Sequence, residues 1–551
     1  MDYRPDTIIL YIKSKKGNIA IQLIDIIILI FLVLHPLIQH FTLPHPPSLF
    51  DILKNYCYFG VYICTRIIFV SVRNQSKLWF SIYTSSLIIL IIQFVLSYLQ
   101  YFDILDSFHS LSKITGFFFN PGPFSIYITA IFLLNGVSAL KTFPLKTVRI
   151  NIIGNFAILT PIFYETSSRA TWVALLIVII LFLGKEKIST LPYKARYLSI
   201  LYISILVIFF CLYIYSLRPA SALGRITIWR SSLEIIKSNF INGIGLDNFP
   251  SQYMYYQAQF LSTVLHKPPL QDIIQEVIYP FNIVLGIQAE MGIIGTTLFF
   301  MILHIALFSN TANKEKHYNH SSYVGLFIVF AGLFSYPLQV IPISILFWIV
   351  IAISISTTHE NVMLPNKLPC IKKAQVISFL ILNVILCLYI CKEYTNAYID
   401  WNKIRQTNTL TYRNNILFDN NPEFLYDVAS IHFSQTRYQK SVETYKLALT
   451  HSCSKQYFYK LGEAYEKLHN FKSAIRTYQK VKEILPGLIK PRYLLAKAYL
   501  INGDYLQFET EALELKNFKE KINSAQATQM KKEIEFLYET EILKKPVVHF
   551  K

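Results

Sequence analysis

Long runs of apolar residues constrain this chain more than any other feature of its sequence. Such runs recur along roughly the first 394 of its 551 residues, and about 18 or more apolar residues are what an α-helix needs to cross a bilayer. Hydrophobic residues make up 53% of the chain and charged residues only 15%. The pattern predicts an all-α, polytopic membrane protein with a bundle of transmembrane helices.

The apolar runs predict about eleven membrane spans. They lie near residues 19–38, 56–72, 79–102, 124–140, 148–164, 171–184, 197–217, 283–309, 322–336, 338–356 and 376–394. No small-residue cleavage site follows the first run, so we expect a retained signal anchor there.

The lysines and arginines predict how these spans are oriented. If the N-terminus is cytoplasmic, the cytoplasmic segments hold most of these cations, while the short outer loops are nearly free of them. This is the asymmetry that the positive-inside rule requires. An odd number of spans then places the C-terminal region on the outer side. Much of the net charge of +19 is accounted for by the cytoplasmic lysines and arginines that orient the spans.

Several classes of function receive no support from composition. No separate basic domain is present to bind nucleic acid. The seven cysteines lie mostly in or beside apolar runs, and no pair has zinc-ligand spacing with histidines nearby. We therefore expect no metal site, no disulfide framework and no cofactor.

After about residue 394 the apolar runs stop and a period of 33–34 residues begins. The stretch KLGEAYEKLHNFKSAIRTYQKV (460–481), followed by Pro486, resembles the tetratricopeptide pattern of paired helices. Similar stretches lie at 427–448 and 494–508. The sequence thus predicts a membrane domain over 1–394 and a helical repeat domain over 395–551, with repeats near 422–454, 455–488 and 489–515.

The spacing of small and aromatic residues explains how these repeats would pack. Ala429, Gly462 and Ala496 are expected to let paired helices approach, while Tyr465 and Tyr499 fill the space between them. Two roles remain open for this domain. It braces the membrane part, or its concave face binds an acceptor protein or a partner subunit.

The long polar loop over 218–282 interrupts the membrane pattern and is predicted to lie on the outer side. It begins RPASALGRITIWRSSLEIIKSNFINGIGLDNF, and its helical pattern places Arg225, Trp229 and Ser232 on one face. Its cations are Arg218, Arg225, Arg230 and Lys237.

The positive-inside rule does not account for cations on that side. Guanidinium groups suit phosphate because each donates two parallel hydrogen bonds. Contacts with lipid headgroups, or ion pairs with Glu234, Asp247 or Glu276, are the alternatives.

The stretch over 224–249 resembles a motif of the O-antigen ligase and O-antigen polymerase superfamily. An Arg and a Trp precede a helix that ends in a Gly-x-Gly-x-x-x-Phe turn, here Gly243, Gly245 and Phe249. The stretch YPFNIVLGIQAEMGIIG (279–295) resembles the family's next motif, His-Asn followed nine residues later by Gly-x-x-Gly.

Asn282, Gly292 and Gly295 occupy the positions of that second motif, and Glu290 matches its acidic residue. Two weaker resemblances, GFFFNPGPFSIYI (116–128) and SSRATW (167–172), precede them in family order. The chain departs from the ligase motif at Phe281, where a ligase has the His that is thought to act on the acceptor.

The resemblance implies transfer of a glycan from an undecaprenyl-pyrophosphate carrier to an acceptor hydroxyl at the periplasmic face of a bacterial inner membrane. The acceptor would be lipid A core, another glycan or a protein. Such a reaction requires stabilisation of the departing pyrophosphate, where charge develops. Arg169 and Arg225 are the expected catalytic cations, and snorkelling to lipid headgroups is the alternative for Arg169.

Other residues of these motifs receive predicted roles. A general base is sought in His266, with Asp247 and Glu276 as alternatives, although a solvated loop histidine fits the local sequence as well. Glu290 is expected to face the protein and to orient or pair with an arginine. The predicted substrate-binding residues are Arg218, Arg230, Trp229, Asn282 and Asp247.

Three other interpretations compete with a ligase or polymerase. Protein O-oligosaccharyltransferases of the same superfamily also carry helical repeat tails. A transporter or flippase of lipid-linked glycans would show two related halves and charges deep in several spans, and neither is clear in this sequence. A non-catalytic assembly factor would use the repeat domain as its working part.

Overall fold

The computed structural model describes residues 22–186 except 73 and 111, then 219–264, 276–308, 320–358, 373–410, 418–519 and 524–543, with a few single positions between 187 and 218. The span predicted over 197–217 lies almost entirely outside the described residues, as do Arg218 and His266.

Within those ranges the regular structure is helical and contains no strand, which confirms the all-α prediction. The helices are α1 Leu23–Leu29, α2 His35–Thr42, α3 Leu49–Ser71, α4 Gln75–Tyr101, α5 Pro121–Thr142, α6 Leu145–Thr166, α7 Arg169–Glu186, α8 Pro219–Ser238, α9 Phe249–Val264, α10 Ile283–Leu303, α11 Ser321–Gly332, α12 Ile341–Thr358, α13 Lys373–Thr407, α14 Pro422–Ser434, α15 Tyr438–His451, α16 Lys455–Lys467, α17 Phe471–Ile484, α18 Ile489–Asn502, α19 Tyr505–Asn517 and α20 Ala525–Tyr538. A π-helical turn, Ile30–Leu34, joins α1 to α2.

Five helical segments in the described part of the chain are long and apolar enough to cross a bilayer. They are Leu23–Thr42, Gln75–Tyr101, Pro121–Thr142, Leu145–Thr166 and Ile283–Leu307. Shorter apolar helices cover Arg169–Gly184, Ser321–Gly332 and Ile341–Thr357. The chain is therefore a multi-pass membrane protein, while the count of about eleven spans and their orientation stay predictions.

The chain divides into two compact units. One, called here the membrane unit, comprises Met1–Gln39, Ile52–Pro219 and Pro280–Tyr389. The other, the repeat unit, comprises His40–Asp51, Ala220–Tyr279 and Ile390–Lys551. The predicted outer loop over 218–282 thus belongs largely to the same unit as the C-terminal repeats, and the predicted boundary near 394 stays a sequence-based division.

The core of the membrane unit is built around α5 and α11, which pack against each other. Helix α5 also packs against α4, α6 and α7, and α11 packs against α7 and α12. Their side chains are buried on several sides, with Phe124, Ile128 and Phe327 fully enclosed. A helix that is apolar all round is suited to the centre of such a bundle.

Asparagine side chains join α4, α5 and α6 within this bundle. Asn135 donates to the backbone oxygen of Tyr83 at 3.1 Å and to the Ser86 hydroxyl at 3.0 Å. Its own side-chain oxygen accepts from Asn151 at 2.8 Å. Interhelical hydrogen bonds of this kind hold membrane helices together where the hydrophobic effect cannot.

A buried ion pair links α1 to α3. The Arg66 guanidinium lies 3.3 Å from the Asp25 carboxylate, and both residues are only 6% exposed. Tyr62 donates a hydrogen bond to Asp25, and Arg66 also donates to Ser356 of α12 at 3.1 Å. Since each charge has hydrogen-bonding partners, the pair is tolerated inside an apolar unit.

The repeat helices of the repeat unit pack as consecutive antiparallel pairs, α14 with α15, α16 with α17, and α18 with α19, and α20 packs on the last pair. A Cβ atom added to Gly462 would lie 2.2 Å from the ring of Tyr478, so only glycine allows α16 and α17 to approach this closely. Ala429 and Ala496 are fully buried. The predicted function of the small residues in helix pairing is confirmed.

Candidate functional site

Arg169 is the first residue of α7, the position at which the chain turns back after α6. Ser167 ends α6 in the left-handed conformation with φ of 47°, and the hydroxyls of Ser168 and Thr171 are hydrogen-bonded at 2.9 Å in a buried position. Arg169 is half-buried. A cation at the positive end of a helix dipole does not favour the helix itself.

Asn282 begins α10 and is its N-cap. Its side-chain oxygen accepts from the amides of Val284 at 3.0 Å and Leu285 at 3.1 Å. Its side-chain nitrogen donates to the carbonyl of Leu333, just after α11, at 3.2 Å. The motif asparagine therefore joins the start of one helix to the end of another, and its predicted contact with substrate stays a prediction.

Phe281 precedes this cap with φ of 51°, a conformation that side-chain-bearing residues adopt rarely. Its ring meets that of Tyr336 edge-on, with centroids 5.2 Å apart. Phe281 thus stands where ligases have histidine, and its ring contacts an aromatic side chain inside the membrane unit.

Helix α10 is broken at Gly292, where φ is 64° and ψ is −167°. This region of backbone space is essentially restricted to glycine. Glu290 lies two residues before the break and is 6% exposed, so its carboxylate lies within the protein rather than on the lipid-facing surface. The Glu290 carbonyl, close to the break, accepts a hydrogen bond from the Gln39 side chain at 2.8 Å.

Gly295 is explained by the same break. A Cβ atom at this position would lie 2.3 Å from the Cβ of Met291, which precedes the break. The first glycine of the Gly-x-x-Gly motif thus breaks the helix, and the second leaves room for the Met291 side chain.

Helix α8 carries the cationic motif of the loop. Arg230 is exposed, whereas Arg225 and Trp229 are half-buried. The carboxylate of Glu234 accepts from Lys237 at 2.7 Å, one turn along the exposed face. Glu234 is therefore paired with a lysine of the same helix, and ion pairs with the arginines of this cluster stay a prediction.

The turn that follows α8 contains three left-handed residues within five positions. They are Gly243 with φ of 68°, Gly245 with φ of 97° and Asp247 with φ of 57°. A Cβ atom at Gly245 would lie 2.6 Å from the Asn248 side chain, which explains this motif glycine. Phe249 is 1% exposed and stacks on Tyr253 with centroids 5.1 Å apart.

Asn248, which sequence reasoning did not single out, closes this turn. It donates to the carbonyl of Ile244 at 3.0 Å and to the carbonyl of His45 at 2.7 Å. The short segment before α3 is thereby attached to the motif turn.

Burial lowers the pKa of His451 at the end of α15, and the nearby His45 lowers it further, so the repeat unit favours neutral His451.

The predicted site residues divide between the two units. Arg169, Asn282 and Glu290 belong to the membrane unit, and Arg225, Trp229, Arg230 and Asp247 belong to the repeat unit. Within the described ranges, no group of three or more His, Cys, Asp or Glu side chains is arranged to hold a metal ion.

The fold and these motifs define a class: multi-pass α-helical membrane proteins that carry a C-terminal helical repeat. Residues 154–300 match the family model of the O-antigen ligase, and residues 456–486 match that of the tetratricopeptide repeat. Both matches confirm the resemblance of the sequence motifs to this superfamily. Among curated proteins, no relative matches the chain. The family match supports a role in membrane glycan transfer during surface polysaccharide biosynthesis.

Proposed function

We propose that this protein transfers a glycan from an undecaprenyl-pyrophosphate carrier to an acceptor hydroxyl at the periplasmic face of the bacterial inner membrane. The observation that carries the proposal is the ligase-family match over 154–300. That region includes Arg169, the turn from Gly243 to Phe249, and Glu290 beside the break in α10.

Arg169 is suited to the carrier's pyrophosphate. A guanidinium at the N-terminus of α7 adds a full charge to the helix dipole, and both favour a bound phosphate. In the transition state the leaving pyrophosphate gains negative charge, and fixed donors stabilise it without reorganisation. Loss of one such donor typically costs about 100- to 1,000-fold in rate.

Arg225 on α8 is proposed to supply the second cation. It is half-buried beside Trp229, a setting that restricts its rotamers more than the exposed face holding Arg230. A restrained guanidinium loses less entropy when it binds phosphate in a bidentate manner.

Glu290 is proposed to orient the site rather than to react. A carboxylate enclosed in an apolar unit is costly unless it is paired or faces a polar group. The first half of α10 ends at Gly292, two residues after Glu290, and the hydrogen bond from Gln39 holds the Glu290 backbone in a defined position. An arginine is the partner we propose for its carboxylate.

The segments that form the repeat unit support a location for all of them on the outer side of the membrane. The positive-inside rule assigns three segments, 40–51, 220–279 and 395–551, to the outer side, and all three belong to one compact unit. We therefore place the repeat domain in the periplasm.

A protein acceptor is the second candidate. The repeat match over 456–486 and Phe281 at the position of the ligase histidine both favour it over transfer to lipid A core. Tetratricopeptide stacks commonly bind proteins or peptides, and a protein O-oligosaccharyltransferase would need such recognition.

The test uses a deletion strain complemented with wild type, Arg169→Ala or Arg225→Ala, each at checked membrane abundance. Exposed Arg149 and Arg476 provide matched controls through Arg149→Ala and Arg476→Ala. Loss of the whole lipopolysaccharide ladder indicates a ligase, and collapse to single repeats indicates a polymerase. Loss of protein glycans alone indicates an oligosaccharyltransferase. Unchanged glycans in the deletion strain would overturn the enzymatic proposal.

A further inference from the structure

The junction between α15 and α16 contacts two separated parts of the motif loop. This junction covers residues 451–459, and it touches the loop at the start of α9 and again at Glu276. Helix α9 also packs against α15 and α17. All of these contacts lie inside the repeat unit.

The first contact is at the residue directly after the motif turn. The backbone amide of Cys453 donates to the carbonyl of Pro250 at 3.1 Å, and Pro250 follows the motif residue Phe249. The Cys453 thiol is hydrogen-bonded to Tyr255 and is 3% exposed, and burial raises its pKa to about 12. The thiol is therefore protonated and serves packing rather than chemistry.

Tyr255, which contacts Cys453, also contacts the repeat helices through its ring. The Lys480 ammonium of α17 lies 5.3 Å from the centre of that ring, within the range of a cation–π interaction. The junction and helix α17 thus touch the same residue of α9.

The second contact is at the far end of the loop. The Lys455 ammonium, at the start of α16, lies 3.7 Å from the Glu276 carboxylate, and both side chains are partly exposed. Glu276 also lies near the buried Tyr459, whose pKa is raised by burial and further by the Glu276 charge. A loop carboxylate that is paired with a lysine has a structural partner, which argues against service as a free general base.

We infer that this junction is a clamp that positions the motif turn and α8 for glycan transfer, and that Lys455 and Cys453 are positioning residues. The inference rests on the proposed function for its catalytic part. It assigns the face formed by α15, α17 and the junction to the chain's own loop. Any partner protein would therefore bind the repeat domain elsewhere.

The test is a reciprocal charge exchange in the full-length protein. Glu276→Lys and Lys455→Glu each place like charges together, and the double variant restores an opposite pair. Each single variant is expected to exchange the α9 amides about fivefold faster and to transfer glycan about fivefold more slowly, mainly in kcat, while the double variant recovers within about twofold. Hydrogen exchange over 249–264 is measured in detergent, and kcat and KM for glycan transfer are measured with purified protein in proteoliposomes at varied donor concentration.

The control is Lys460→Glu, which breaks a shorter ion pair, 2.7 Å to Glu463 within α16, and should change neither readout. If the single variants leave α9 exchange unchanged, the clamp is refuted. If exchange rises but transfer does not, the positioning role is refuted. Transfer lost in Glu276→Lys and not recovered in the double variant would make Glu276 a catalytic group. If wild type transfers no glycan, the proposed function fails, and hydrogen exchange still decides the clamp.

Discussion

Replacing Gly292 with alanine tests whether the break in α10 organises the site. The backbone at this position has φ of 64° and ψ of −167°, a region from which a Cβ atom is essentially excluded, and holding alanine there costs about 1–3 kcal/mol. At about 1.4 kcal/mol per tenfold change, the correctly broken helix becomes roughly 5- to 150-fold less populated. If the helix straightens, the Glu290 carbonyl loses its position opposite Gln39.

The matched control is Gly154→Ala in α6, another apolar helix of the membrane unit. A Cβ atom at Gly154 would meet nothing within 4 Å, and alanine is a better helix former than glycine. The Gly154→Ala substitution should leave the free energy of unfolding unchanged or raise it slightly.

Both variants are compared by melting temperature in detergent and by glycan transfer at equal membrane abundance. We expect Gly292→Ala to melt lower and to lose most transfer while Gly154→Ala matches wild type. If Gly292→Ala behaves like Gly154→Ala in both assays, the break does not organise the site.

Three further predictions concern the cap, the ion pair and pH. Asn282→Ala should destabilise the protein by about 1–2 kcal/mol because a helix cap and an interhelical hydrogen bond are lost, whereas Asn282→Asp keeps the cap and should lose about half as much in a detergent melt. Arg66→Met should cost about 3–5 kcal/mol because the Asp25 carboxylate is left buried without its counter-charge, and the Asp25→Leu/Arg66→Met double variant should recover most of the melting temperature. Because His451 has a lowered pKa in the folded protein, the unfolded chain binds more protons below about pH 6.5. The repeat unit should therefore lose stability as pH falls from 6.5, and His451→Gln should reduce that loss in a melt at pH 7.5 and 5.5; an unchanged pH dependence would contradict it.

The sequence could predict most of the membrane helices because their signal is local. The span predicted over 148–164, for example, is contained in the helix from Leu145 to Thr166. The packing of the repeats could also be predicted, since a small residue recurs at the spacing of a known pattern, as Ala429, Gly462 and Ala496. In the membrane helices the signal comes from neighbouring residues, and in the repeats it comes from a regular period along the chain.

The parts that sequence reasoning missed depend on contacts between distant residues or on backbone shape. Asn248 and His45 are 203 positions apart, and nothing local marks their hydrogen bond. Asp25 and Arg66 each stand alone in an apolar run until the fold pairs them. The break at Gly292 was not predicted because hydropathy does not register a change in φ, and a glycine in a membrane helix equally fits close packing.

The most direct test of glycan transfer uses purified protein in proteoliposomes. Wild type, Arg169→Ala and Arg149→Ala are incubated with an undecaprenyl-pyrophosphate-linked glycan and, separately, with lipid A core, a glycan acceptor or an acceptor protein, and the product is followed by mass spectrometry. The account predicts a glycosylated product with one of the three acceptors for wild type and Arg149→Ala, and a rate about 100-fold or more lower for Arg169→Ala. Absence of product with all three acceptors, or equal rates for Arg169→Ala and wild type, would contradict it.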